Sequence, residues 1–293
     1  MTTMASGNPY NLSPQQRRDL QRAMEVYRSV AADAVEQAIE ATTKLNETTR
    51  AVAENYRRAL EPLMAGLQEA ALHAQQRIQA AYPPNWPPTL KLDLHLLEEI
   101  GSADGIPIVY VPRAEIVQEL VAATTAQERF EVIDARGDDI AEDCENALSA
   151  ATHADLNDGP DLTVAAIKTY RDGHYEAAQT LAVAVCDTYL KAMFSTNGSK
   201  YSKIRESLEA KIEEHDVLYD ALHIALPLGP AIRFLEEWHG DGATNAPSQL
   251  NRHVTSHFAT RGHLHRLNAT IAIMLASSLS VALNAISNAS GTP

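Results

Sequence analysis

Apolar positions recur at helical spacings of three, four or seven residues from Leu20 onward. Leu20, Met24, Tyr27, Ala31, Ala34, Ala38, Leu45, Val52, Tyr56, Leu60, Leu63 and Leu67 fall on one face of a helix. Upstream, S-P-Q-Q supplies a start: Ser13 as N-cap, Pro14 at the first helical position and Gln16 closing a capping box. Pro62 is the only breaker before residue 80, and it kinks or divides the helix. The pattern predicts a long N-terminal helix or helical hairpin. Such a helix lies along the body of the protein or pairs with a partner's copy, on a stripe weaker than a leucine zipper.

YPPNWPP at 82–88 stops this element and forms a rigid, extended hinge, with Trp86 expected to pack a junction. GIPIVYVPR (105–113) is a short β-branched run bounded by Gly and Pro, read as one strand or an extended segment. Residues 114–152 read as two acidic amphipathic helices split near Gly137, and THADLNDGPDL (152–162) as an internal boundary. Helices follow at 162–171 and 174–194, meeting at Gly173, then at 202–226, with a short one running from P-L-G-P (227–230) through Trp238. A Gly/Asp/Asn/Pro-rich loop at 239–250 leads to a last long helix expected to begin near Asn251.

The fold class expected is all-α: a long N-terminal helix or helical hairpin, then a four- to five-helix C-terminal bundle, with at most one short strand-like segment. The expected divisions are a long helical segment with its Pro-rich hinge at 1–88, an acidic helical linker domain at 89–158 and a helical bundle at 159–293.

Residues 267–286 carry no charge for twenty positions, long enough to span a bilayer. Two Asn, three Ser and one Thr dilute the run and no aromatic belt flanks it, so a buried core helix is expected rather than a membrane span. The polar N-terminus has no signal-like apolar stretch. Cys144 and Cys186 lie in helical segments without metal spacing, which suits a reducing, cytoplasmic setting.

Charge is unevenly distributed. The 293-residue chain has a formal net charge of -14. Between Glu98 and Asp161 stand 16 acidic residues against three arginines, so that segment alone carries -13. The charge argues against long non-specific tracking along nucleic acid, but not against a small anion site near the C-terminus.

That site is suggested by 251-NRHVTSHFATRGHLHR-266, in a region that holds seven of the 11 histidines after residue 214. Asn251 is placed to cap a helix, which sets Arg252, His253 and His257 beside free N–H groups that favour a phosphate. His253 and His257, four apart, share a face. Arg252 and His257, five apart, are separated by about 140° of turn. An imidazole can take the proton of a ribose 2′-hydroxyl or protonate the leaving oxygen. Arginine offers a permanent bidentate charge to the phosphorane oxygens.

Two other uses of the cluster stand beside this one. Arg252 and His257 would pair with the acidic 98–161 segment and hold the chain together. Alternatively His253 and His257, with His263 or His265, would bind zinc. No Walker loop or G-x-G-x-x-G is present, and no helix has the basic face of a DNA-recognition helix.

The stretch 251-NRHVTSH-257, followed by Asn268, resembles the N-R-H-x-x-x-H-G…N pattern of the helical HEPN superfamily (higher eukaryotes and prokaryotes nucleotide-binding). The helix 173-GHYEAAQTLAVAVCDTYL-190 is similar to that superfamily's first helix, and the likeness covers residues ~160–290. The resemblance implies a homodimer whose Arg and His residues meet across the interface as a metal-independent endoribonuclease. In toxin and antiphage members a cognate protein partner is also implied. Carried over, Arg252 would hold the scissile phosphate and His257 would do acid/base work, with His253 the polar residue after the arginine. Asn251 and Asn268 would contact RNA or a nucleotide, and Glu176 or Asp187 would complete the site from the first helix. No cofactor, metal or membrane is implied. The chain departs from the pattern at Phe258, where glycine is expected. The alternative is a catalytically inactive helical scaffold, or an RNA- or nucleotide-binding protein acting by dimerisation.

Overall fold

A computed structural model describes residues 14–149, 151–194, 200–213, 217–238, 240, 246–258 and 260–290. The fold is all-α, 78% helical, with no strand among the described residues. The chain divides into two compact units, 1–75 and 76–293. The divisions expected at 88/89 and 158/159 therefore fall inside the second unit.

The first unit is carried by α1 (Pro14–Ala80), one uninterrupted helix of 67 residues that passes through Pro62. A single helix is realised, not a hairpin. The expected Ser13 cap and the Gln16 side chain lie outside the described residues. Intrahelical ion pairs such as Lys44–Glu40 and Arg50–Glu54 line its charged face.

The second unit is built around α9 (Arg266–Ser290). Ala269, Ala272, Ile273, Met274, Ala276 and Leu279 are all buried along it. It packs against α4 (Gly137–Leu148), α5 (Gly159–Arg171) and α6 (Tyr175–Phe194), with α3 (Ala126–Ala135) at its N-terminal part. Small residues let neighbouring backbones approach closely, and each large aliphatic side chain fully removed from water contributes about 1.5–3 kcal/mol. Arg266–Asn288 is long and apolar enough to cross a membrane, yet 72% of its most apolar window is buried within the unit. It serves as the bundle's core helix, as its diluted composition suggested. The turn from α5 to α6 uses Gly173 at φ 80, a conformation open to glycine. His174 N–H donates to Thr169 O and Gly173 N–H to Tyr170 O, closing the end of α5.

One sequence expectation changes, and a second is narrowed to its non-strand alternative. The acidic segment forms three helices, α2 (Ala114–Ala122), α3 and α4, because Thr125 and Glu128 make a capping box that restarts the chain between α2 and α3. The run 105–113 is a buried irregular loop and not a strand, with Tyr110 at φ 68 and a cis Val111–Pro112 bond. Its backbone groups find side chains instead of a ladder. Asn85 Nδ2 donates to Ile108 O (3.1 Å) and Pro112 O (2.7 Å), and Trp86 Nε1 to Ile108 O (2.6 Å). Tyr110 N–H donates to Asn85 Oδ1 (2.8 Å), and Ser278 Oγ to Val109 O (2.9 Å). YPPNWPP thus clamps this loop, and Trp86 packs within the second unit.

The acidic segment pairs all three of its arginines internally. Buried Arg129 donates to Asp104 and Glu99, both at 2.6 Å. Arg113 pairs with Glu142 and Asp143, and Arg136 with Glu119 and Asp139.

Candidate functional site

The cluster sits on α8 (Arg252–His257), a helix of 6 residues that ends before α9 begins. It was expected to open the last long helix, but residues 258–265 separate the two. The dipole of a long helix is therefore not available to it, and so short a helix contributes little field of its own.

Asn251 caps α8 as expected: its side chain accepts from Val254 N–H at 3.1 Å. Its Nδ2 donates to Glu236 O at 2.8 Å, and the residue is buried. Asn251 thus fixes the entry of α8.

Arg252 points onto α6 and α7 (Tyr201–Glu213), where a polar knot holds it. Its Nε donates to Asp187 Oδ1 at 3.2 Å, and its Nη2 to the Tyr201 hydroxyl at 2.5 Å. The guanidinium carbon lies 3.7 Å from the centre of the Tyr201 ring, a cation–π contact. Asp187 Oδ2 also accepts from Lys191 Nζ (2.8 Å) and from the Tyr201 hydroxyl (3.0 Å). Burial raises the Tyr201 phenol above its usual range, so it keeps its proton and donates it to Asp187. The hydrogen bond from Lys191 to Asp187 raises the lysine above its usual value and keeps it charged. Two cations therefore share one carboxylate. The side chains of Arg252 and Asp187 are 15% and 17% exposed, so solvent reaches both.

Arg252 and His253 open onto a pocket of about 290 Å³, with Lys200 and Tyr201 on its wall and Glu236 and Glu237 also lining it. Glu236 is neutralised by Arg233. His253 and His257 share a face as expected, with ring centres 5.0 Å apart, and His257 is exposed. Phe258 packs edge-on against Trp238 at 4.6 Å, and His253 lies 6.3 Å from the same indole. The ring that replaces the expected glycine thus anchors an aromatic cluster at the end of α8.

Of the two acidic candidates, Asp187 is brought to Arg252. Glu176 is exposed in the first turn of α6, eleven residues earlier and about 16 Å away along the helix axis. Asn268 does not join the cluster either. It is buried at the start of α9, donating to Ser248 O and His263 O, both at 2.9 Å, and lines a different pocket of about 740 Å³.

The structure answers the other two uses of the cluster. His263 is buried and engaged on both ring nitrogens: Nδ1 contacts Pro247 O at 2.9 Å and Nε2 contacts Thr255 Oγ1 at 3.0 Å. A carbonyl only accepts, so Nδ1 carries the proton and Nε2 accepts from the threonine, whose oxygen receives Gln179 Nε2 at 3.0 Å. Burial holds His263 below its usual value, in the neutral form this chain requires. It cannot serve as a third zinc ligand without breaking those bonds, and no metal-binding group of three is found among the described residues. Pairing with the acidic segment does occur, but through Arg266, which donates to Asp134 and lies 3.5 Å from Asp138. Arg252 pairs with Asp187 instead.

Tyr201 and Lys191 were not anticipated in the site. Lys191 stands four residues after Asp187, a helical neighbour legible in the sequence, whereas Tyr201 comes from another helix and left no such signal. No family model, curated protein or solved structure matches this chain.

Proposed function

We propose that the protein is a metal-independent endoribonuclease of HEPN type, acting through Arg252 and His257 of α8 at a site closed by a second copy of the bundle. The observation that carries this reading is the Arg252 knot. An arginine pre-oriented by Asp187 and Tyr201 stands at a pocket mouth beside His253, with an accessible imidazole one turn further on. Pre-orientation lets the guanidinium hold a phosphate with little loss of side-chain freedom. His257 faces solvent while Arg252 faces α6, so one chain does not present both to the same phosphate. A two-fold partner would bring its own His257 to the Arg252 of the first. In that arrangement one imidazole removes the 2′-hydroxyl proton, and a second protonates the departing 5′-oxygen.

The same knot favours a second reading. Arg252 is already satisfied within the chain, which suits a protein that binds RNA or a nucleotide without cutting it, or a scaffold. The test is cleavage of single-stranded RNA in excess EDTA. Cleavage leaving a 2′,3′-cyclic phosphate is expected, with a loss of ~10²–10⁴-fold in His257→Ala and ~10²–10³-fold in Arg252→Ala. His265→Ala should retain full rate. Intact RNA throughout, or equal cleavage by the His257 variant, would replace the enzyme with the binding reading.

A further inference from the structure

We propose that α1 pairs with the α1 of a second copy of this chain, antiparallel, with Thr49 on the two-fold axis. This contact is separate from the bundle surface invoked above. At 100° per residue, the 19 positions between Leu20 and Ala74 that fall within a sector of about 100° are all Ala, Val, Leu, Met, Tyr or Thr. None is charged. Ten of them are large apolar side chains, and all ten are exposed in the structure, Tyr27 by 75% and Tyr56 by 68%. Pro62 falls on the opposite side of the helix, where its missing N–H does not disturb the stripe.

The order of sizes along the stripe selects both the partner and the direction. Large residues (Leu20, Met24, Tyr27) are followed by a mostly small stretch interrupted by Val35 (Ala31 to Thr42), then past Leu45 and Val52 by large ones (Tyr56 to Leu67), then by small ones (Ala70 to Ala74). Run antiparallel about Thr49, the stripe sets Met24 against Ala74, Tyr27 against Ala71 and Ala31 against Leu67. Ala38 then meets Leu60, and Thr42 meets Tyr56. Each of these five large side chains faces a small one and Leu45 faces Ala53, while Val35 meets Leu63 and Leu20 meets Ile78 at the end, so the axes keep a similar separation along most of the pair. A parallel, in-register pair would set Ala31 and Ala38 against their own copies, and Leu60 and Leu67 against theirs. Interaxial distance follows side-chain size over roughly 8–10 Å, so that pair could not pack at both ends.

Area and charge agree with a second copy. The 19 positions a side approach the roughly 20–30 residues that each partner contributes to a standard interface. α1 contains nine Arg or Lys and nine Asp or Glu, a balance of zero, while the chain as a whole is at -14. Two copies of this helix therefore meet without the repulsion that the rest of the molecule would impose.

The test uses cysteine cross-linking of the full chain, whose own Cys144 and Cys186 are buried. Thr49→Cys should oxidise to a covalent dimer, because each residue 49 meets its copy. Ala31→Cys alone should not, since the two copies would stand about 54 Å apart along the axis. Mixing Ala31→Cys protein with Leu67→Cys protein should give the heterodimer. Leu60→Glu, on an exposed position that leaves the bundle intact, should shift sedimentation toward a smaller species. Efficient cross-linking of Ala31→Cys to itself would overturn the antiparallel order. Absence of any Thr49→Cys dimer would overturn the pairing, even for a protein that dimerises through its bundle.

Discussion

The Arg252–Asp187 contact lends itself to a double-mutant cycle that separates a structural clamp from a working arginine. Arg252→Ala removes two charge-assisted hydrogen bonds, to Asp187 and to the Tyr201 hydroxyl, each worth up to about 1.5–3 kcal/mol, and one cation–π contact, worth about 0.5–2 kcal/mol. Three features lower the sum, the first being that the Tyr201 hydroxyl is half-buried and can take water in place of Arg252. Both side chains are partly solvated, at 15% and 17% exposure. Asp187 also keeps Lys191 and Tyr201 as partners, so no buried charge is left bare and the larger penalty of about 3–5 kcal/mol for a broken buried pair does not apply. The expected loss of stability is about 1.5–2.5 kcal/mol, measured by urea unfolding at neutral pH. Asp187→Asn keeps one acceptor oxygen, and the coupling between the two changes should be about 1–2 kcal/mol. RNA cleavage should meanwhile fall ~10²–10³-fold in the folded Arg252 variant. A coupling near zero would mean that the knot does not form in solution. A loss above ~4 kcal/mol would make Arg252 a core residue, and the pre-oriented phosphate clamp would lose its basis.

His263→Ala should cost about 2–4 kcal/mol, because it strands Pro247 O and Thr255 and leaves a cavity, in contrast to a surface histidine. Burial lowers both His263 and His223 below 6.5, so the unfolded chain binds more protons than the folded one as pH falls through 6.5. Stability should accordingly decline from pH 7.5 to 5.5 in urea titrations, and a flat profile over that interval would count against the neutral, doubly bonded ring. Arg129→Met should destabilise by about 3–5 kcal/mol by stranding buried Asp104, and adding Asp104→Leu should restore at least half of that loss in thermal melts.

The helices that stabilise locally were legible in the sequence, and the contacts made between distant segments were not. Pro14, the YPPNWPP stop, Gly173 and the uncharged run of α9 each act through their own backbone or their own face, so pattern alone located them. The restart at Thr125 was equally readable as T-x-x-E, but the short apolar repeat of 114–152 masked it. The loop at 105–113 shows the opposite case. Its β-branched composition suits a strand, yet its hydrogen bonds run to Asn85, Trp86 and Ser278, and no local pattern announces partners so far away. At the site, Asn251 as cap and the shared face of His253 and His257 followed from spacing. Which carboxylate meets Arg252 depended on how α6, α7 and α8 converge. That convergence chose Asp187 over Glu176, and it turned Asn268 and His263 into buried supports.

The central position of α9 has a consequence for the order in which the protein is made. Every helix that α9 holds together, from α3 to α6, leaves the ribosome before it. At roughly 5–20 residues per second, the hundred or so residues between α4 and α9 take several seconds to appear. During that interval the inward faces of α4, α5 and α6, with Ile140, Ala166, Ile167, Ala182 and Val183, have no central helix to cover them. Until then those apolar faces lack the helix on which they pack in the finished fold. The contacts that α9 makes with α3, α4, α5 and α6 can form only after the residues following His265 have emerged.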